Sequence, residues 1–241
     1  VRGRHGAVVG IVLAVLGASA CTAEKAERPK EASRAPAPKS LREGLLTQDG
    51  LPEGFKLGRV LVDPTSTAAA GTPTAIADLR CDELEVDEFV TTHAPPVEYV
   101  AADLERTSAD AEDMGWFGRE SLDRYAPGRA AEVMDAIRAT AQRCGSYLTT
   151  FTDGTKVQET ASVAPAGVPA DDSFLIHFTS TFPGDSKPFE EVSGFARLGD
   201  VVLVVKQAPD QKPPTDSQKV LAAAVKAYVT APARPTAGTT G

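Results

Sequence analysis

Three thiols carry most of the chemistry this sequence can offer: Cys21, Cys81 and Cys144. A cysteine sulfur can attack as a thiolate, ligate a metal, accept a lipid or pair with a second sulfur. No two of the three stand in a Cys-x-x-Cys spacing, and three histidines are all that accompany them, which makes a poor zinc site. Cys21 has distinctive surroundings. It directly follows Leu16-Gly17-Ala18-Ser19-Ala20, a run of small residues that closes an apolar stretch.

That stretch begins after a basic head formed by Arg2 and Arg4, with His5 beside them, and runs from Ala7 to Ala20. It is shorter than the roughly 20 residues a spanning helix needs. A basic head and a short apolar core fit a secretory signal. The segment before Cys21 resembles the lipobox of bacterial lipoproteins, whose cysteine takes a diacylglyceryl group and becomes the new N-terminus. Ala18 stands where such segments usually carry Leu. The resemblance implies a signal peptide over 1–20, lipid on Cys21, and a chain held on the extracytoplasmic face of the cell membrane. One acyl chain holds a protein only marginally, whereas two or more hold it stably. The alternative is ordinary cleavage after Ala20, which would leave Cys21 as an unpaired thiol in an oxidising compartment.

With Cys21 assigned to lipid, Cys81 and Cys144 remain as an even pair. In an extracytoplasmic protein such a pair most simply forms a disulfide. Closing a loop of that length is worth roughly 4 kcal/mol in the chain-entropy model.

The chain carries 25 basic and 33 acidic residues, and removing 1–20 takes its net charge from −8 to −10. The acidic balance argues against a nucleic-acid partner and against adhesion to anionic lipid by charge. The abundance of Ala, Gly, Pro, Arg and Val fits a high-GC genome, and so an actinobacterium.

Residues 21–40 hold almost no large apolar side chain and read as a lipidated N-terminus with a disordered tether. Residues 231–241 read as a similar tail. The remaining span, 41–230, has the size of one domain. Its opening is turn-rich, around Leu45-Leu46-Thr47 and Leu51–Gly54, and a short strand follows over 57–62. Asp78 can cap a helix carrying Leu79, Cys81, Leu84, Phe89 and Val90, stopped by Pro95-Pro96. A strand pair is expected over 97–106 and 115–124, around the acidic turn Ser108–Asp113. Ala131, Val133, Met134, Ile137, Ala141 and Cys144 recur at helical spacing over 128–144. Asp153-Gly154 and Gly199-Asp200 each sit between two strand-like runs and signal hairpins. Phe174, Ile176 and Phe178 alternate with Leu175, His177 and Thr179, so the Phe face should be core. A last helix over 215–229 turns Val220, Leu221, Ala224, Val225 and Tyr228 inward. The fold class expected is α+β: a mainly antiparallel sheet with about three packed helices in a single domain.

This order of elements resembles the PknH-like extracellular sensor domain family of mycobacteria and relatives. The features that carry it span most of 45–230. They are the Leu51-Pro52-Glu53-Gly54 opening, Cys81 in a first helix, and a strand leading into a helix that ends at Cys144. A hairpin follows, then Asp171-Asp172 opening a strand, the Arg197-Leu198-Gly199-Asp200 turn and a closing helix. The kinase sensor domains of that family carry two disulfides, and this chain can make one. The resemblance implies a cleft for a ligand of unknown identity, and no motif here marks its residues.

Catalytic signatures are missing: there is no Gly-x-Ser-x-Gly, His-Glu-x-x-His or Walker loop. His93 sits at an expected helix end, where terminal carbonyls are its natural partners. His177 lies either on a solvated strand face or on a ligand-lining one. The acidic run Asp103–Asp113 lacks EF-hand spacing, and no metal site is assigned there. Trp116-Phe117 puts two aromatics on opposite faces of a strand, one in the core and one free to meet a ligand. Trp116 and His177 are therefore the candidate ligand-face residues. The reading is a surface-anchored lipoprotein with a non-catalytic binding or sensing module, without cofactor. Its ligand would be an unknown small molecule, glycan or protein. The alternative is a lipid or glycolipid carrier, which needs a large apolar cavity.

Overall fold

The computed structural model describes residues 40–63, 74–86, 88–107, 115–208 and 216–232. The alternating segments form eight strands: β1 Phe55–Asp63, β2 Glu98–Arg106, β3 Trp116–Arg124, β4 Tyr147–Thr150, β5 Lys156–Pro165, β6 Asp172–Thr181, β7 Phe189–Leu198 and β8 Val201–Gln207. The α-helices are α1 Leu41–Gly44, α2 Phe89–His93, α3 Arg129–Arg143 and α4 Ser217–Thr230. All strands join one sheet in the order β1-β2-β3-β8-β7-β6-β5-β4, antiparallel at every pairing. The expected α+β architecture is the one found.

Two meanders build this sheet, β1 to β3 and β4 to β8, and the β3–β8 pair joins them. The connection from β3 to β4 must cross to the far edge, and α3 makes that crossing over one face, against β5, β7 and β8. The helix α4 follows β8 and covers the opposite face of β7 and β8, with α1 packed beside it. Both faces of the central strands are therefore covered, which is why β8 reads Val201-Val202-Leu203-Val204-Val205 without a polar break.

The alternation divides the core in two. Phe174, Ile176, Phe178, Phe195 and Val202 face α3, whose buried stripe is Ala130, Val133, Met134, Ile137 and Ala141. Leu175, Val192, Leu203 and Val205 face α4, which turns in Val220, Leu221, Ala224, Val225 and Tyr228 as its spacing predicts. Arg138 of α3 reaches β6, where Asp172 accepts from one guanidinium nitrogen at 2.6 and 2.7 Å.

Turn chemistry fixes the registers. Leu198 pairs with Val201, so Gly199-Asp200 is a two-residue loop. Gly199 takes φ +64° while Asp200 keeps a negative φ, the pattern of a type II′ turn. Asp171 clamps this loop by accepting the Gly199 N–H at 2.7 Å and the Arg197 guanidinium at 3.2 Å. Cys81 and Cys144 form a disulfide, with Cα atoms 5.4 Å apart. It ties a 3₁₀ turn over Cys81–Glu85 to the end of α3.

The helix expected from Asp78 onward is instead broken. Ile76–Asp78 and Cys81–Glu85 are 3₁₀ turns, and α2 begins only at Phe89, after Glu88 takes a left-handed φ of 67°. Leu79, Leu84 and Phe89 recur every five residues, and five residues of α-helix overshoot a full turn by about 140°. A continuous helix cannot bury all three, whereas broken turns can, and all three are buried. In α3 the first buried alanine is Ala130 rather than Ala131, which is exposed. The turn Ser108–Asp113, most of the tether and of the tail, and Cys21 lie outside the described residues. Among the described residues no helix is long and apolar enough to cross a membrane.

Candidate ligand cleft

On the α3 face, the first meander extends past the cover that α3 provides. Alternate residues of β2, β3, β8 and β7 form a floor there, and Glu85, Glu88 and α2 form one wall. The cleft measures about 540 Å³, within the range of small-ligand sites. Phe89, Val90, Phe195 and Val204 supply its apolar surface. Phe89 meets Phe195 edge-on at 6.4 Å, which fixes the wall to the floor.

The polar lining is dense in acid. Glu85, Glu88, Asp103, Asp123 and Glu191 line the cleft against two cations, Arg119 and Lys206. Both cations are already engaged. The Arg119 guanidinium donates to Asp103 at 2.9 Å and to Glu88 at 2.8 Å. The Lys206 ammonium lies 3.4 Å from the Glu191 carboxylate and donates to the Glu85 carbonyl oxygen.

Asp123 is the exception to this pairing. It is fully buried, and neither carboxyl oxygen has a hydrogen-bond partner. Leaving a buried polar group unpaired costs roughly 1–3 kcal/mol. It stands across from Tyr99 on β2 and Val202 on β8. Loss of water around it pushes its carboxyl up to about 8, and the Ser121 hydroxyl on the same face offsets a smaller part of this. Tyr99 is raised to about 12, by burial and then by the Asp123 charge. The Tyr125 hydroxyl is also buried without a partner, and burial followed by the Asp123 charge raises it.

At the other end of the cleft, Glu85 sits beside Glu159, and the Tyr147 hydroxyl donates to its carboxyl. Burial, and then the hydrogen bond with Glu159, lift Glu85 to about 8. Glu159 accepts the Thr149 hydroxyl at 3.0 Å. The disulfide anchors the 3₁₀ turn that carries Glu85 to the end of α3, so it also holds this end of the cleft. Among the described residues no three His, Cys, Asp or Glu side chains converge to hold a metal ion.

The structure separates the sequence-predicted ligand-face residues from this cleft. Trp116 is 3 % exposed on the α4 face, edge-on to Phe55 at 5.2 Å. Its neighbour Phe117 is the exposed aromatic, at 54 %. His177 is half-buried on β6, paired in register with Val192 and Ser162, on the face opposite the cleft. His93 holds the Thr74 carbonyl oxygen at 2.9 Å through Nδ1, a carbonyl from a preceding loop rather than from its own helix end. Asp103, considered only as part of an acidic run, does line the cleft. Asp123 and Glu191 carry no local motif. Other charged residues share their strands, Arg119, Glu120 and Arg124 in β3 and Glu190 and Arg197 in β7, so the local sequence does not single them out.

No family model and no curated protein matches the chain. In three dimensions the chain is similar to the extracellular domain of PknH from Mycobacterium tuberculosis. The match has 10 % sequence identity and a TM-score of 0.54, and covers 78 % of this chain and 94 % of that one. The likeness is one of fold.

Proposed function

We propose that this chain is a non-catalytic ligand-binding or sensing module held on the extracytoplasmic face of a membrane by lipid on Cys21. The observation that carries the binding role is Asp123: a buried carboxyl with both oxygens unpaired, in the floor of a preformed cleft. Native folds rarely keep such a group without a use or a missing partner. The fold shared with the extracellular domain of PknH supports an extracytoplasmic setting. The non-catalytic reading rests on the cleft's inventory. Among the described residues its lining holds neither His nor Cys, and the groups beside its serine hydroxyls, Glu191 by Ser193 and Asp123 by Ser121, are carboxyls rather than an imidazole. The charged floor disfavours the lipid-carrier alternative, because acyl chains would have to cover ionisable groups.

A thermal-shift screen of a mixed small-molecule library tests the binding role. Hits should stabilise the chain and should be lost in Thr91→Trp, which fills the mouth of the cleft without touching its floor. Hits that survive this substitution would place binding elsewhere.

A further inference from the structure

We propose that the cleft takes an organic cation: a small molecule whose ammonium or guanidinium group pairs with Asp123 and whose apolar body lies against Phe89, Val90 and Val204. This rests on the reading of the cleft as a ligand site.

Three observations converge on it. Burial keeps the Asp123 carboxyl protonated, and a cation seated against it draws that proton off; the carboxylate can then only accept hydrogen bonds, so its two oxygens without partners take donors from the ligand. The cleft also holds more acid than base, five carboxyls against two cations. Arg119 and Lys206 already answer to carboxylates at 2.8–3.4 Å, so neither stands ready for an anion. An anionic ligand would meet the carboxylates Glu88, Asp103 and Glu191 as like charge, and a neutral one would leave Asp123 protonated and its oxygens without a charged partner. Finally, the wall beside the acids is apolar and rigidly backed, since Phe89 leans on Phe195 and Phe195 stacks on Phe174 at 5.1 Å. A charged head with an apolar body satisfies both halves of the cleft; a bare metal ion or a simple polyol satisfies one.

The test compares three probes of one shape on the full chain: 4-phenylbutylamine, 4-phenylbutan-1-ol and 4-phenylbutyrate. Calorimetry gives affinities, and amide shifts at Thr91, Ser121 and Ser193 give location. The amine should bind at least about tenfold tighter than the alcohol, the worth of one charge-assisted hydrogen bond. The carboxylate should bind weakest. Asp123→Asn should erase the preference of amine over alcohol while leaving alcohol binding in place. The wild-type series alone decides the sign of the charge, so the test stands even where that variant fails to fold. Equal or tighter binding of the alcohol or carboxylate overturns the cation assignment and leaves the cleft reading intact. So does silence from all three probes while library compounds shift the same amides. Silence from probes and library together overturns both.

Discussion

Asp123 stands directly across the β2–β3 ladder from Tyr99, and this pair puts two ionisable groups into a water-poor floor. The relationship follows from topology. The strand β3 lies third in the sheet, with the α4-side core against one face and the cleft against the other, so its alternating residues go to two interiors. Glu120 enters the α4 side, where one carboxyl oxygen accepts the Leu46 N–H at 2.9 Å and the other is unpaired. Asp123 enters the cleft side.

A pH dependence of stability follows. Burial holds Asp123 and Glu120 up at about 8, so the folded chain keeps protons that the unfolded chain loses near its ordinary carboxylate values. Between about pH 4 and about pH 8 the folded state binds more protons, and stability must fall as pH rises through that window. Asp123→Asn should be nearly neutral at about pH 5. At about pH 8 it should be more stable than the parent by about 1 kcal/mol or more. Urea titrations at the two pH values check this, and equal effects at both would contradict it.

Gly118 sets a second expectation. A Cβ there would lie 2.4 Å from the Lys206 carbonyl oxygen and 2.4 Å from the Trp116 ring. The glycine lets β3 and β8 pair while Trp116 folds over the strand. Gly118→Ala should cost about 1–3 kcal/mol by overpacking, read from the denaturant midpoint. Gly128→Ala serves as a control of a different kind, strained by its φ of +83° but with nothing within 4 Å.

Reduction of Cys81–Cys144 should destabilise the chain by about 4 kcal/mol, from the loop it closes. The effect should be uneven. Amide exchange should rise most over the 3₁₀ turn and α2, which form the cleft wall, and least in β7 and β8. Hydrogen exchange with and without reductant reads this directly, and a uniform increase would argue against a wall held by the disulfide.

Cys21→Ser should move the protein from the membrane fraction to the supernatant and leave its thermal transition unchanged. Retention in the membrane fraction would remove the lipid anchor, while the Cys81–Cys144 pairing stands on its own geometry.

Much of the fold was legible because its signals are local. The Gly199-Asp200 and Asp153-Gly154 hairpins, the Phe174–Phe178 alternation and the inward stripe of α4 each need only a few neighbouring residues to be read. The segment from Leu79 to Phe89 is less legible, because Asp78 offers a helix cap before a run of apolar residues and the break at Glu88 has no local signal. The cleft was the least legible part. Asp123 and Glu191 are buried only because β3 and β7 lie inside the sheet, and strand order is set by contacts far apart in sequence. Trp116 and His177 were chosen for their chemistry, but strand parity puts both on the α4 face.

The most direct test of the ligand-binding account is amide-shift mapping of the isotopically labelled chain against a mixed fragment library. The largest perturbations are expected at Thr91, Ser121, Ser193 and Gln207, around the cleft, and they should disappear in Thr91→Trp. Perturbations gathered on the opposite face around His177, or none at all, would contradict a binding role for this cleft.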